Sequence, residues 1–156
     1  RVPRTFVFVD ISGFTNFTNE NGDDAAGRLL ASWRAVTRDV ASETGVRIAK
    51  WLGDGCMIVA VDQRDAITFA LELQKRSGAA CAPLSIRVGM ASGLALLFEG
   101  DDYIGTAVNM AARLCDACTI ARVLTGRRAP VAVWTATPPP VGCVQRNDRI
   151  AAGDVG

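Results

Sequence analysis

The stretch from Arg47 to Val61 (RIAKWLGDGCMIVAV) constrains the fold most, because it contains two short apolar segments that meet at a glycine-rich turn. Glycines on both sides of Asp54 let the backbone reverse within a few residues. The stretch therefore predicts a β-hairpin with an exposed carboxylate at its tip. A carboxylate on a rigid turn is a good ligand for a hard cation, and Lys50 nearby could read a polar edge of a ligand. An ordinary surface hairpin is the alternative interpretation of this stretch alone.

A second carboxylate follows a segment that strongly favours a strand. Residues 4–9 (RTFVFV) are β-branched or aromatic and predict a buried strand that runs into Asp10. Residues 11–15 (ISGFT) predict a small-residue loop, whose successive N–H groups could bind an anion. Asp10 could then hold a metal ion while the loop holds the phosphates bound to that metal. A cap at the end of a strand is the simpler alternative.

Three segments have the apolar spacing of helices: 22–43, 64–80 and 101–118. Trp33 in the first segment is expected in the core or in a subunit interface. The third segment is apolar over most of its surface, yet it carries Asn109 and Arg113 one turn apart and on one face. Polar groups on a buried helix need partners, which a ligand, a neighbouring subunit or the pair itself could provide.

The remaining strand patterns complete an α+β order. Residues 84–90 (LSIRVGM) predict a strand in which Arg87 needs an anionic partner. Residues 91–99 could continue as a strand, with turns at Gly93 and Gly100. The weaker patterns near the end are short strands at 121–124 and 131–135, prolines at 138–140 and a tail from 141. This order predicts a mixed or antiparallel sheet covered by helices.

The composition limits the available chemistry. The 156 residues include no histidine, which excludes a histidine base and histidine-containing zinc sites. A net charge of +1 and the lack of a long apolar run favour neither nucleic-acid nor membrane contact. Five cysteines in apolar segments favour reduced thiols and a cytoplasmic location, and the single CxxC at Cys115 and Cys118 is a weak zinc or redox signal. We expect one domain over 1–156, which could be excised from a longer chain because it lacks an initiating methionine.

The polar residues that stand out from their apolar surroundings are Asp10, Lys50, Asp54, Arg87, Asp102, Asn109 and Arg113. Two carboxylates at strand ends are enough to hold a pair of Mg²⁺ or Mn²⁺ ions. Metals with arginine can stabilise charge on a transferred phosphoryl group without histidine. Lys50 and Asp102 offer donors and an acceptor that could read a purine edge. These residues predict metal-dependent nucleotide chemistry.

Four segments resemble the catalytic domain of the class III adenylyl and guanylyl cyclases: FVDISGFT (8–15), KWLGDG (50–55), IRVGMASG (86–93) and DYIGTAVNMAARL (102–114). They occur in the family's order and with its spacing. The resemblance implies a ferredoxin-like α+β domain that pairs head to tail as a homodimer. It also implies conversion of ATP to 3′,5′-cyclic AMP and pyrophosphate with two divalent cations.

The resemblance implies a role for each matching residue. Asp10, Asp54 and the carbonyl of Ile11 correspond to metal ligands. Arg87 and one short turn correspond to the triphosphate site, and the residues of that turn are Ser12, Gly13, Phe14 and Thr15. Lys50 and Asp102 correspond to the pair that selects adenine, where guanylyl cyclases carry Glu and a small residue. Asn109 corresponds to the residue that orients the ribose, and Arg113 to the one that stabilises the transition state.

In the family the metal aspartates of a site come from one subunit and the other side chains from its partner, so a monomer would have no complete site. Residues 119–156 diverge from the family and leave four candidates for a late phosphate contact: Arg127, Arg128, Arg146 and Arg149. That divergence motivates one alternative, a cyclase-fold module that senses nucleotide or dimerises with negligible turnover. Guanylyl cyclase activity is another alternative, which Lys50 and Asp102 disfavour.

Overall fold

A computed structural model of the chain describes residues 1–100, 102–118 and 131–135, the last as strand backbone. The strands are β1 (Val2–Ser12), β2 (Arg47–Leu52), β3 (Gly55–Ala60), β4 (Ser85–Phe98), β5 (Asp102–Ile104) and β6 (Val131–Thr135). The helices are α1 (Phe14–Asn21), α2 (Asp23–Thr44), α3 (Gln63–Ala80) and α4 (Thr106–Ala117). None of the helices in the described residues is long and apolar enough to cross a membrane.

The sheet follows the order β2-β3-β1-β4, and each of these neighbours is antiparallel. The other edge of β4 pairs with β5 in the antiparallel sense and with β6 in the parallel sense, so the whole sheet is mixed. Helices connect β1 to β2 and β3 to β4, which is the crossover pattern of a ferredoxin-like unit. The predicted α+β fold is confirmed.

Alternation along β1 separates two cores on opposite faces of the sheet. Val7, Val9 and Ile11 share a buried cluster with apolar residues of α2 and α3, including Trp33, which is fully buried as predicted. Phe6 lies on the other face, in a cluster with the small residues through which α4 packs on the sheet. The sheet is therefore covered by two helices on one face and by α4 on the other.

The packing of α4 on β4 leaves no room for a side chain at Gly89. An added Cβ there would lie 2.1 Å from the backbone nitrogen of Cys115 and 2.3 Å from the carbonyl oxygen of Ala111. Two thiols strengthen this contact, since Cys115 Sγ donates to the carbonyl of Arg87 (3.6 Å) and Cys118 Sγ to that of Val88 (3.4 Å). The helix is thus held at a defined height and rotation above the strand.

The structure differs from the sequence predictions at the β4–β5 hairpin. Residues 91–98 continue β4 without a turn at Gly93, because that glycine pairs with Arg4 of β1. The chain reverses near Gly100, whose φ is 84°. Residues 102–104 form β5 against β4 instead of opening the third helix, which begins at Thr106.

The other predictions divide between the described and undescribed parts of the chain. The helices near 22–43 and 64–80 and the strand at 131–135 are confirmed. The four described cysteines are buried thiols that form no disulfide with one another. Cys143, the strand predicted at 121–124, the prolines at 138–140, the tail from 141 and the four late arginines lie outside the described residues.

Gly89→Ala is expected to lower the free energy of unfolding by about 2–3 kcal/mol, because its Cβ would push against the backbone of α4. Thermal unfolding should show a fall in Tm of about 2–4 °C for each kcal/mol. Gly78→Ala on α3 is the matched control, since nothing lies within 4 Å of its added Cβ. That variant should be neutral or slightly stabilising. Equal melting of the two variants would contradict the close approach of α4.

Candidate active site

The register of β1 places Asp10 between two partners. Asp10 lies opposite Gly55 of β3 on one side and opposite Arg87 of β4 on the other. Its carboxylate forms an ion pair with the Arg87 guanidinium, and the two side chains are 26% and 28% exposed. The anionic partner that Arg87 was predicted to need is therefore Asp10.

Asp54 occupies the turn of the β2–β3 hairpin, as predicted. Gly53 takes the left-handed conformation with φ 65°, which lets β2 and β3 reverse through two residues. The carbonyl of Asp54 accepts a hydrogen bond from the Ile11 N–H at 3.3 Å, so the turn packs against the end of β1. This packing leaves Asp54 partly buried, and the prediction of an exposed tip is wrong in that respect.

The Asp54 carboxylate lies near that of Asp10 in surroundings that disfavour the negative charge of Asp54. Burial raises the pKa of Asp54, and the nearby charge of Asp10 raises it further, while a backbone hydrogen bond and Arg87 oppose both effects. A cation bound between the carboxylates would relieve this repulsion. A cleft of about 180 Å³ opens beside them, between the sheet and α4.

These oxygen atoms fit a hard cation such as Mg²⁺ or Mn²⁺. In the described part of the chain, no group of three or more His, Cys, Asp or Glu side chains could hold a metal by itself. An ion at Asp10 and Asp54 would therefore need further oxygen ligands from the backbone, from water or from a bound phosphate. The carbonyl of Ile11, next to Asp10 in the chain, is the predicted backbone ligand.

The predicted anion-binding loop is a strand end followed by a helix start. Ile11 and Ser12 still belong to β1, and Gly13 reverses the chain with φ 81°. Phe14 and Thr15 form the first turn of α1, where backbone N–H groups lack partners within the helix. A helix N-terminus of this kind favours a phosphate as well as the predicted loop would.

A second group of polar residues forms where β5 folds over the sheet. Lys50 of β2 and Asp102 of β5 form an ion pair, and their side chains are 46% and 48% exposed. Tyr103 next to Asp102 packs edge-on against Phe6 at 5.3 Å between ring centroids. Arg47 donates to the Tyr103 hydroxyl at 3.2 Å, which ties β5 to β2.

Asn109 and Arg113 share one face of α4, as predicted, but that face is exposed and not buried. The buried face of α4 consists of Ala107, Ala111 and Cys115, which pack on the sheet. No side-chain hydrogen bond or ion pair of Asn109 or Arg113 is found within the described residues. The interpretation of these two residues as an internal pair is therefore wrong.

The predicted site residues form two groups within one chain. Asp10, Asp54 and Arg87 meet at the end of β1, while Lys50 meets Asp102 near β5. No ion pair links the two groups in the part of the chain that the structure describes. Sequence reasoning missed Arg47, because a cation at a strand start gives no sign of an aromatic partner 56 positions later.

Comparison with known proteins finds no matching family model. The chain is 33% identical over 107 residues to an adenylate cyclase of Streptomyces griseus, covering 69% of this chain and 27% of that protein. It is 29% identical over 110 residues to a pH-sensitive adenylate cyclase of Mycobacterium tuberculosis, covering 70% of this chain and 27% of that protein. The chain is therefore much shorter than the curated relatives that it matches.

Solved structures share the fold. The adenylyl cyclase CyaB from P. aeruginosa is 28% identical with a TM-score of 0.64, over 74% of this chain and 71% of that chain. The catalytic core of a rhodopsin-guanylyl cyclase with converted specificity, in complex with ATPalphaS, has a TM-score of 0.71 at 22% identity. That match covers 85% of this chain and 76% of the other and concerns the fold alone.

A double-mutant cycle on Asp10→Asn and Arg87→Gln should give a coupling energy of about 1–2 kcal/mol in urea unfolding. Each single change leaves a partly buried polar group without its charged partner, whereas the double change removes both charges. The exposed pair Glu43–Arg76 is the control and should couple more weakly. Equal coupling in the two pairs would contradict the special position of Asp10 and Arg87.

Proposed function

We propose that the chain is a catalytic domain of the class III adenylyl and guanylyl cyclases and that it converts ATP to 3′,5′-cyclic AMP and pyrophosphate. The observation that carries the proposal is the meeting of Asp10 and Asp54 beside the N-terminus of α1. This combination of carboxylates and free N–H groups suits two cations and a triphosphate. Because the chain spans 27% of the Streptomyces griseus relative, the proposal concerns the reaction of this domain.

The metal and phosphate half of the proposed site lies at the end of β1. Asp10, Asp54 and the Ile11 carbonyl would hold two Mg²⁺ or Mn²⁺ ions, which when bound acidify the ribose 3′-hydroxyl and neutralise phosphate charge. The triphosphate would lie against the turn made by Ser12, Gly13, Phe14 and Thr15. Arg87 now pairs with Asp10. When Asp10 binds a metal ion, the Arg87 guanidinium would pair with a phosphate oxygen instead, because both are anionic partners.

The base and ribose half would come from the second copy of the chain. Asp102 can accept a hydrogen bond from the exocyclic amino group of adenine, and Lys50 can donate to a ring nitrogen. Their ion pair holds both side chains ready at one place, and both are about half exposed. Asn109 would orient the ribose, and Arg113, one turn further along α4, would stabilise charge on the reacting phosphate.

The reaction would be an in-line displacement at the α-phosphorus. The ribose 3′ oxygen forms the new P–O bond, the bond to the β-phosphate bridge breaks, and pyrophosphate leaves. The 3′ proton would pass to water, to a phosphate oxygen or to an aspartate, since the chain has no histidine to accept it. The positive side chains of Arg87 and Arg113 would stabilise the charge that develops.

Two surface features support a homodimer with two shared sites. The face of α4 that carries Asn109 and Arg113 is exposed in the single chain. The β4–β5 hairpin also exposes five large apolar side chains, each 45–60% exposed: Leu94, Leu96, Leu97, Phe98 and Ile104. Monomeric proteins rarely expose so many apolar side chains together. A head-to-tail pair would cover them and would create two equivalent sites.

Mixing two inactive variants tests the shared site. Asp54→Ala removes a metal ligand, and Arg113→Ala removes the transition-state arginine that the partner supplies. Each homodimer would be inactive, but a heterodimer would keep one intact site, so cyclic AMP formation should recover to about a quarter of the wild-type rate. Mixing either variant with itself is the control. If cyclic AMP formation does not recover although mass spectrometry detects heterodimers, the shared-site arrangement is contradicted.

The base preference tests the role of Lys50 and Asp102. The double change Lys50→Glu with Asp102→Gly should lower kcat/KM for ATP by at least about 100-fold and raise the relative use of GTP, because the donor and acceptor pattern is inverted. Competition between ATP and GTP in one reaction measures the ratio directly. Lys75→Gln, which removes an exposed cation on α3, should leave the base ratio nearly unchanged. Persistent ATP preference in the double variant would place base selection elsewhere.

A further inference from the structure

The turn that carries Asp54 is held from outside the sheet by a side chain of α2. Arg34 donates through Nη2 to the carbonyl oxygen of Gly53 at 2.7 Å. The carbon of its guanidinium lies 4.9 Å from the centre of the Trp51 ring. Trp51 in turn packs edge-on against the fully buried Trp33 at 5.7 Å. Arg34 therefore connects the rigid core of α2 to the Gly53 peptide.

Arg34 provides a restraint that packing does not provide. An added Cβ at Gly53 would meet no atom within 4 Å, so no side chain presses on this corner of the turn. The next carbonyl, that of Asp54, is held by the Ile11 N–H at 3.3 Å. The carbonyls of both turn residues are thus hydrogen-bonded, one to β1 and one to Arg34. Together these bonds fix the two peptide planes on either side of the Asp54 Cα.

The position of Arg34 also has an energetic cost. Its Nε is buried without a hydrogen-bond partner in the described residues. A buried donor without a partner lowers stability, and a neutral side chain over Trp51 would avoid that cost. The hydrogen bond from its guanidinium to the Gly53 carbonyl gives a reason for an arginine at this position.

We propose that Arg34 is a positioning residue that orients the Asp54 carboxylate for divalent-cation binding through the Gly53 carbonyl. This inference rests on the proposed function, because it assumes that Asp54 is a metal ligand. Groups that orient metal ligands commonly change metal affinity by about 10-fold or more when they are removed. The chemical class of the ligand is a hard divalent cation, for which Mn²⁺ is a convenient probe.

The sign of the effect separates positioning from simple electrostatics. Removing a positive charge near a carboxylate should strengthen cation binding if charge alone matters. Removing the restraint on the turn should weaken binding instead. Arg38 is the matched control, because it also lies over the Trp51 ring, at 5.2 Å, but no hydrogen bond from it to the turn is found in the described residues.

The experiment measures Mn²⁺ affinity without nucleotide, from the electron paramagnetic resonance signal of free Mn²⁺ in titrations of the full chain. We expect Arg34→Gln to weaken binding by about 10-fold and Arg38→Gln to change it by less than about twofold. In the cyclase assay, Arg34→Gln should raise the Mn²⁺ requirement more than the KM for ATP. Equal affinities for the two variants, or tighter binding by Arg34→Gln, would overturn the inference.

Two further variants keep the outcome unambiguous. Arg34→Lys retains the charge but loses the planar fork, so it should also bind Mn²⁺ more weakly, with a Tm close to that of the wild type. Asp54→Asn reports on the proposed metal site itself. If Asp54→Asn abolishes Mn²⁺ binding while Arg34→Gln and Arg38→Gln behave alike, only the positioning role fails. If Asp54→Asn leaves binding intact, the metal site and the positioning role both fail.

Discussion

The site depends on the pairing of the central strand β1 with β3 and β4, which brings Asp10 and Asp54 together at the end of β1. The register with β3 brings the Asp54 turn onto Ile11, and the register with β4 brings Arg87 onto Asp10. Burial raises the pKa of Asp54, and the neighbouring negative charge of Asp10 raises it further. A backbone hydrogen bond and the Arg87 guanidinium oppose these effects and stabilise the charged carboxylate. In the proposed site, a bound cation would offset the negative charge at this end of the central strand.

The opposite face of the sheet determines what the rest of the chain can present. Small residues let α4 lie directly on β4 at Gly89, and this turns Asn109 and Arg113 outward. The hairpin of β4 and β5 folds over the same face and brings Asp102 to Lys50. A single chain therefore displays two separate groups of polar residues. In the proposed homodimer each group would face the complementary group of the second copy, so that catalysis would require the association of two chains.

Local sequence patterns predicted the parts of the fold that local physics controls. The glycines around Asp54 specify the hairpin turn, and the β-branched run before Asp10 specifies the central strand. Features that depend on contacts between distant residues could not be predicted from these local patterns. Residues 102–104 have helical spacing with the residues that follow, but the edge of β4 draws them into β5. The contact of Arg34 with Gly53 joins α2 to the β2–β3 turn, and neither local sequence pattern predicts it.

Cyclic AMP production from ATP by the purified chain, with Mn²⁺ present and over a range of protein concentrations, tests the central claim most directly. The proposed shared site predicts product formation that rises faster than linearly with concentration and then becomes linear as dimers saturate. Activity per chain that stays constant down to concentrations where light scattering finds only monomers would contradict the shared site. No product from a confirmed dimer would contradict the proposed reaction and would indicate a module that binds nucleotide without turning it over.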